Sequence, residues 1–382
     1  MVDDHENNTN TTQKIYLDNS FPFGFIRCTL DSCHLHVKNY KTKRLRIKII
    51  VFYSHLLDNT FMVYLSLLVL IIPISLIAFI VYISFKLPRF DYVEDFKYED
   101  ESDYENIHSK KYDLRLEKNK NILGAKYWGK DTSKGYILFL HGIGAGHLAY
   151  MSTIAKLVRD GYFVLTYDMY GMGRSSGRSF KSLLEGAHCF KKIYEQFLIV
   201  EPKLKDKEVT IMGHSYGAFT AIMGSYFLEE KIVKKVIAIA PFYDLNFMIE
   251  YLPKKLRFIA YLIIERDHCL YPLLSLLNIV KVMKRRNNIP YILVYGDKDD
   301  IVPLAEREKV LNKINNLSNV TTYQYENSYH NPYLTDEGEK VVMEEVRKAS
   351  ILTGLERKVA IENINWKKAC EIDEDRIDLW LK

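Results

Sequence analysis

The longest uninterrupted pattern along the chain is a stretch without charge. Residues 61–85 contain no Asp, Glu, Lys or Arg. At about 1.5 Å rise per residue, such a stretch crosses a hydrocarbon core of roughly 30 Å with some tilt. Pro73 lies inside it and is tolerated better in a membrane helix than in a soluble one. A buried core helix seldom runs so long without charge, and a cleaved signal peptide is shorter and begins earlier. The pattern therefore predicts one membrane-spanning helix over 61–85. Upstream, residues 1–60 are polar and then basic, with Lys38, Lys41, Lys43, Arg44, Arg46 and Lys48. A basic cluster beside an apolar stretch suits a membrane surface. It places the N-terminus in the cytoplasm and the following domain on the other side. Lys86, Arg89 and Lys97 weaken that asymmetry.

Residues 86–111 are acidic, with Glu94, Asp95, Glu99, Asp100, Glu101 and Asp103, and read as a solvated linker. From 112 to 354, apolar runs of strand length alternate with helical patterns. Strands are expected at 135–140, 162–168, 208–212, 235–240, 290–295 and 320–325. That alternation predicts an α/β domain, a mostly parallel central sheet with helices on both faces. Residues 241–289 interrupt it with an apolar insertion, including Phe242, Phe247, Tyr251, Phe258 and Tyr261. The tail, 355–382, mixes charge with Trp366, Ile377, Leu379 and Trp380, and predicts a helix packed back on the domain.

Composition adds limits. With 48% hydrophobic and 13% aromatic residues, the chain can build a large core. A net charge of +5 in 382 residues, with the two signs interspersed, gives no nucleic-acid footprint. The five cysteines are odd in number and lack metal-ligand spacing, so neither a disulfide framework nor a metal centre is expected.

The candidate chemistry centres on Gly213-His214-Ser215-Tyr216-Gly217, which fits G-x-S-x-G. An apolar strand precedes it and a helical pattern follows, the context that presents a serine at the tip of a sharp turn. A second loop, His141-Gly142-Ile143-Gly144-Ala145-Gly146-His147, follows the strand ending at Leu140. As a dinucleotide-binding loop, it would use Asp168 as the ribose contact, but His147 occupies the place of the third glycine. As an oxyanion loop, it would set the Ile143 N–H, with that of Tyr216, against the charge that develops on an attacked carbonyl. Serine also needs a base and an orienting acid. Asp297, Asp299 and Asp300 lie just after one strand and His330 just after the next, giving the order Ser, Asp, His. Any of the three aspartates fits the acid's role on position alone.

At these residues the chain resembles the α/β-hydrolase superfamily, and most of all its branch of monoacylglycerol lipases, lysophospholipases and serine aminopeptidase-like hydrolases. His141 to Gly144 matches the HGxG oxyanion loop. Asp168-Met169-Tyr170-Gly171-Met172-Gly173-Arg174-Ser175 matches the D-x-x-G-x-G-x-S loop. Gly296-Asp297-Lys298-Asp299 matches the acid loop, whose fourth position carries the catalytic acid. The resemblance covers about 112–354. It implies an α/β-hydrolase fold with a helical cap at 241–289. It also implies Ser215, Asp299 and His330 as catalytic residues, with Ile143 and Tyr216 as oxyanion donors and no cofactor or metal. Ser328 and Tyr329 before His330 depart from the small residues usual there. The expected activity is hydrolysis of a carboxylic ester, such as a monoglyceride or lysophospholipid. The rivals are a peptidase or amidase on the same fold, a catalytically silent membrane-tethered binding protein, and a dinucleotide-dependent enzyme.

Overall fold

The computed structural model describes residues 59–79, 82, 89–117, 120–144, 146–246, 249, 254, 257–302 and 304–382. The basic cluster before the apolar stretch, residues 80, 81 and 83–85 of that stretch, and Phe247 and Tyr251 of the insertion lie outside the described residues. Asn59–Phe79 is one helix, α1, of 21 residues, long and apolar enough to cross a membrane. Its side chains are exposed, and the Ser66 hydroxyl donates back to the Met62 carbonyl at 2.7 Å.

The domain is organised on an eight-stranded sheet. The strands are β1 (His108–Glu117), β2 (Lys120–Trp128), β3 (Gly135–Leu140), β4 (Tyr162–Tyr167), β5 (Val209–His214), β6 (Val233–Ile239), β7 (Tyr291–Gly296) and β8 (Val320–Tyr325). Their order is β1-β2-β4-β3-β5-β6-β7-β8. β1 runs antiparallel to β2 and β2 antiparallel to β4, and every other pairing is parallel. The six strands expected from the sequence are present, with ends shifted by no more than two residues. The β1–β2 hairpin was not expected.

Successive side chains of a strand point to opposite faces, so β3 feeds two cores. Tyr136, Leu138 and Leu140 enter one, packed under α3 (Leu183–Val200) and α4 (Tyr216–Ser225). Ile137 and Phe139 enter the other, packed under α2 (Met151–Arg159) and the C-terminal helix Glu374–Leu381. Trp380 of that last helix is fully buried and donates its indole N–H to the Tyr325 hydroxyl at 2.9 Å. Lys235 closes the helix end by donating to the carbonyls of Trp380 at 3.0 Å and Leu381 at 2.6 Å. The tail thus packs back on the domain.

Residues 89–107 differ from the expected solvated linker. The Phe90 N–H donates to the Gly171 carbonyl at 3.1 Å, and Gly173 returns a bond to Phe90 at 2.9 Å. Arg89 donates to the Gly177 carbonyl at 2.6 Å. Tyr98 meets Tyr92 edge-on and Phe96 at a tilt, all three partly buried, and the Phe96 ring meets Trp366 edge-on at 5.1 Å. Asp91, Glu94, Asp95 and Asp100 stay exposed. The aromatic residues between the acids anchor the segment, while the acids keep its outer side wet.

Candidate active site

The turn between β5 and α4 carries Ser215 in a left-handed backbone conformation, φ 54° and ψ −115°. This is an unfavourable state for a residue with a side chain, and the surrounding structure has to hold it there. The Ser215 N–H donates to the Ile239 carbonyl at 2.7 Å, and its own carbonyl accepts from Phe219 at 3.0 Å. The flanking glycines are required by contact. A Cβ on Gly217 would lie 2.1 Å from the Leu140 carbonyl oxygen, and one on Gly213 would lie 2.4 Å from the Gly217 backbone.

Beyond β7 the three candidate aspartates separate. Asp297 is exposed, and Asp300 pairs with Arg347 at 2.7 Å. Asp299 turns inward, with its side chain 4% exposed. Its two carboxylate oxygens lie 3.0 and 2.9 Å from His330 Nδ1. Burial pushes the Asp299 carboxyl up. The bond from His330, its charge, and the N–H groups of Val302 and Ile301 outweigh that and hold it below the usual carboxylate range. The loop after β8 presents His330, and Glu339 straps that loop on both sides. Its carboxylate accepts from the Ser328 hydroxyl at 2.7 Å and from the Asn331 N–H at 2.6 Å.

Ser215, His330, Ile143 and Tyr216 line one cavity of about 590 Å³. No hydrogen bond joins the Ser215 hydroxyl to His330 among the described residues. In a site without substrate such a bond is often long and closes only when the complex forms. The walls are mainly apolar, from Phe180, Phe242, Leu245, Ile263 and Ile264 among others. Ile263 and Ile264 belong to α5 (Arg257–Leu270), in the region expected as the cap. The apolar residues of that region divide into two sets. Phe242, Ile264, Leu274 and Leu277 are buried, while Phe258, Tyr261, Leu270, Leu273 and Leu276 are more than half exposed.

Both histidines of the loop after β3 are occupied. His141 donates from Nδ1 to the Gly142 carbonyl at 2.7 Å and accepts the Met169 N–H at Nε2 at 2.9 Å. Burial lowers its pKa. His147 meets Asp168 through Nδ1 at 2.7 Å and through its backbone N–H at 2.8 Å. Asp168 also accepts the Arg174 N–H at 2.8 Å, and it is fully buried. Its carboxylate is therefore filled from inside the fold and not open to a ribose, which removes the argument for a dinucleotide loop. Among the described residues no group of His, Cys, Asp and Glu is placed to hold a metal ion.

Three contributors were not anticipated, Tyr150, His214 and Glu339. Tyr150 bonds the Gly142 N–H at 3.0 Å and His214 Nδ1 at 2.9 Å. His214 also reaches the His330 carbonyl with Nε2 at 2.8 Å. His214 stood inside the G-x-S-x-G motif as an unassigned position, and nothing in the sequence marked Tyr150 or Glu339.

Comparison with known proteins agrees with this fold. Residues 135–265 match the family model described as alpha/beta hydrolase fold. The chain has the α/β-hydrolase fold. One curated relative of this hydrolase-fold chain is a proline iminopeptidase from Saccharolobus solfataricus, 28% identical over 163 residues. That match takes in 40% of this chain and 52% of the relative, so the chain spans about half the length of the curated relative it matches. A Pyrococcus furiosus esterase of known structure is similar at 21% identity and a TM-score of 0.49, over 64% of this chain and 90% of that one. A Pyrococcus horikoshii acylaminoacyl peptidase is similar at 15% identity and a TM-score of 0.47, over 60% of this chain and 39% of that one. Neither structural likeness bears on what this chain cleaves.

Proposed function

We propose that this chain is a membrane-anchored serine hydrolase that cleaves carboxylic esters with an apolar acyl group, such as a monoglyceride or a lysophospholipid. One observation carries the reading. A mainly apolar cavity holds both a serine on a strained elbow and a histidine whose Nδ1 is bound by a buried carboxylate. In this scheme Asp299 accepts a hydrogen bond from Nδ1–H of His330, which holds the proton on Nδ1 and keeps the Nε2 lone pair free as a base. Ser215 Oγ attacks the ester carbonyl carbon, and its proton passes to Nε2. The charge gathered on the carbonyl oxygen meets the N–H groups of Ile143 and Tyr216. Tyr216 opens α4, so the helix dipole adds to the same effect. His330 then gives its proton to the departing alcohol, and water releases the acyl group by the same steps. The scheme needs neither metal nor cofactor. Helix α1 would anchor the chain, with the N-terminus in the cytoplasm and the catalytic domain on the other side.

The iminopeptidase relative favours a second reading, cleavage of an amide beside a free amine. A free ammonium needs an unpaired carboxylate in the pocket. The acid nearest that role among the described lining residues, Asp267, is paired with Arg266 at 2.7 Å and accepts from Ser182 at 2.5 Å. The ester reading is therefore preferred.

The test is a series of p-nitrophenyl esters from acetyl to dodecanoyl, run beside labelling with a fluorophosphonate. Each buried methylene contributes about 0.8 kcal/mol, of which a part is realised in the transition state. A gain in kcat/KM of about ten-fold over a few carbons is expected. Labelling should vanish in Ser215→Ala. A flat chain-length profile would reject the apolar acyl group, and labelling that survives the substitution would reject the nucleophile.

A further inference from the structure

Between Gly213 and Ser215 stands an imidazole that the proposed chemistry does not use. His214 is 4% exposed, and both of its ring nitrogens are engaged. Nε2 lies 2.8 Å from the His330 carbonyl oxygen and Nδ1 lies 2.9 Å from the Tyr150 hydroxyl. A carbonyl only accepts, so Nε2 carries the proton and Nδ1 is an acceptor. Tyr150 must then donate to Nδ1. The same hydroxyl oxygen accepts the Gly142 N–H at 3.0 Å. The bonds therefore run in one direction, from Gly142 through Tyr150 and His214 to the backbone of His330.

Each end of this chain lies in a different loop of the site. Gly142 adjoins Ile143, whose N–H faces the developing charge in the proposed scheme. His214 adjoins Ser215, and His330 is the base. The spacing is close throughout. A Cβ at Gly142 would stand 2.9 Å from the Tyr150 hydroxyl, 3.4 Å from His214 Nδ1 and 3.5 Å from Ser215 Cβ. The rings pack as well, with His214 and His330 centroids 4.8 Å apart and Tyr333 5.1 Å from His214.

We propose that Tyr150 and His214 are positioning residues, which lock the oxyanion loop, the serine elbow and His330 into one mutual geometry. The proposal rests on the hydrolase reading above for its kinetic consequence. His214 touches none of the reacting atoms in that reading, since both nitrogens are spent on the chain. The lock works only with a neutral imidazole. A proton on Nδ1 would leave Tyr150 facing two donors, with no acceptor for its own hydroxyl. Burial, reinforced by the neighbouring His330 imidazole, pushes His214 down to about 3. The titratable groups around it are His330 and Asp299 on the acid and base loops, Tyr150 beside α2, and Tyr333 after the His330 loop.

The experiment compares Tyr150→Phe, His214→Leu and His214→Gln in the full-length chain held in detergent. A glutamine can still donate to the His330 carbonyl and accept from Tyr150, whereas leucine can do neither. Tyr150→Phe and His214→Leu are expected to lower kcat by about ten- to hundred-fold with KM within about three-fold, the scale of small misplacements of reacting groups. His214→Gln should recover most of that loss. The pair Tyr150→Phe with His214→Leu should be no worse than the poorer single variant, because both break one chain. Equal losses in the leucine and glutamine variants, or kcat kept within three-fold in all, would overturn the proposal. A second arm does not depend on hydrolysis. In Ser215→Ala protein with ¹⁵N-labelled histidine, the His214 signals, assigned by their loss in His214→Gln, should keep the Nε2–H tautomer from pH 8 to 5. Titration within that range would overturn the lock even if no ester were ever cleaved. Absence of turnover beside a fixed tautomer would count against the hydrolase reading instead.

Discussion

Replacing Asp299 by Asn probes the electrostatics of the site by exchanging one oxygen for an amide nitrogen. Oδ1 of Asp299 receives the N–H groups of Ile301 and Val302, each at 2.9 Å. Those two donors decide how an amide must sit, because its NH₂ cannot accept them. The amide oxygen turns toward the backbone, and the NH₂ is left facing His330 Nδ1. A donor there requires an acceptor, so Nδ1 gives up its proton and the imidazole moves to the Nε2–H tautomer. The nitrogen meant to receive the Ser215 proton is then already protonated. A fall in kcat of about 10³ to 10⁴ is expected for Asp299→Asn, roughly 4 to 5.5 kcal/mol of barrier. The two neighbouring acids serve as controls. Asp297 is exposed, and Asp300 makes only a half-exposed pair with Arg347. Such a pair contributes about 0 to 1 kcal/mol to stability and nothing to the imidazole. Asp297→Asn and Asp300→Asn should therefore stay within about three-fold of the parent. The assay is kcat and KM on a p-nitrophenyl ester for all three variants, each checked for folding by urea denaturation. Similar rates in the three, or more than a tenth of parental activity in Asp299→Asn, would refute the assignment of the acid.

Three further outcomes follow from packing and charge. A chain shortened to begin at 110 should be less soluble and melt lower than one beginning at 89, because it lacks the segment holding Phe90, Tyr92 and Phe96; equal melting curves would contradict a structural role for that segment. Trp380→Ala should cost about 3 to 5 kcal/mol in chemical denaturation, since it empties a fully buried site, and a loss under about 1 kcal/mol would mean the tail is not part of the cooperative unit. The pH dependence of stability should show two acid-sensitive ranges. His214 is held down to about 3, so between about 6.5 and that value the unfolded chain binds a proton the folded one refuses; stability falls there by about 1.4 kcal/mol per pH unit, and His214→Gln should flatten that slope in urea midpoints. Burial raises Asp168, yet the bond and charge of His147 dominate and hold its carboxyl far below the usual range. Its contribution is intact above about pH 4 and lost as pH falls further, so Asp168→Asn should flatten the lower limb while lowering stability at neutral pH.

The central strands were legible because they are buried on both faces. β3, the first four residues of β5 and the second half of β6 (236–239) read as short runs without charge, which a strand covered on both sides by helices has to be. The β1–β2 hairpin was not legible for the opposite reason. In β1, Tyr112, Leu114 and Leu116 face the core while Lys111, Asp113 and Arg115 face water. At the sheet edge only that alternation survives, and the charges mask it. The stretch 89–107 misled in the same way. Its acids outnumber its anchors, so net charge suggested a free linker where Phe90, Tyr92 and Phe96 hold it down.

The site divides along the same line. Ser215 and His330 stood out as candidates in the sequence because each lies in a short segment at the end of its own strand, whereas position alone left Asp297, Asp299 and Asp300 open and only the family resemblance pointed to Asp299. What holds those motifs together has no such signature. Tyr150 and His214 are 64 positions apart, and His214 and the carbonyl it bonds are 116 apart. No spacing rule links residues at such separations, and a tyrosine at a helix start reads as ordinary core. Glu339 spans only eight positions to Asn331, yet it reads as one more surface acid in a charged helix until the fold turns it inward. In the proposed scheme the reacting groups are therefore set by local sequence, while the distances between them are set by contacts that exist only after the sheet has formed. Substitutions at Tyr150, His214 or Glu339 should accordingly change rates through geometry, leaving every reacting group in place.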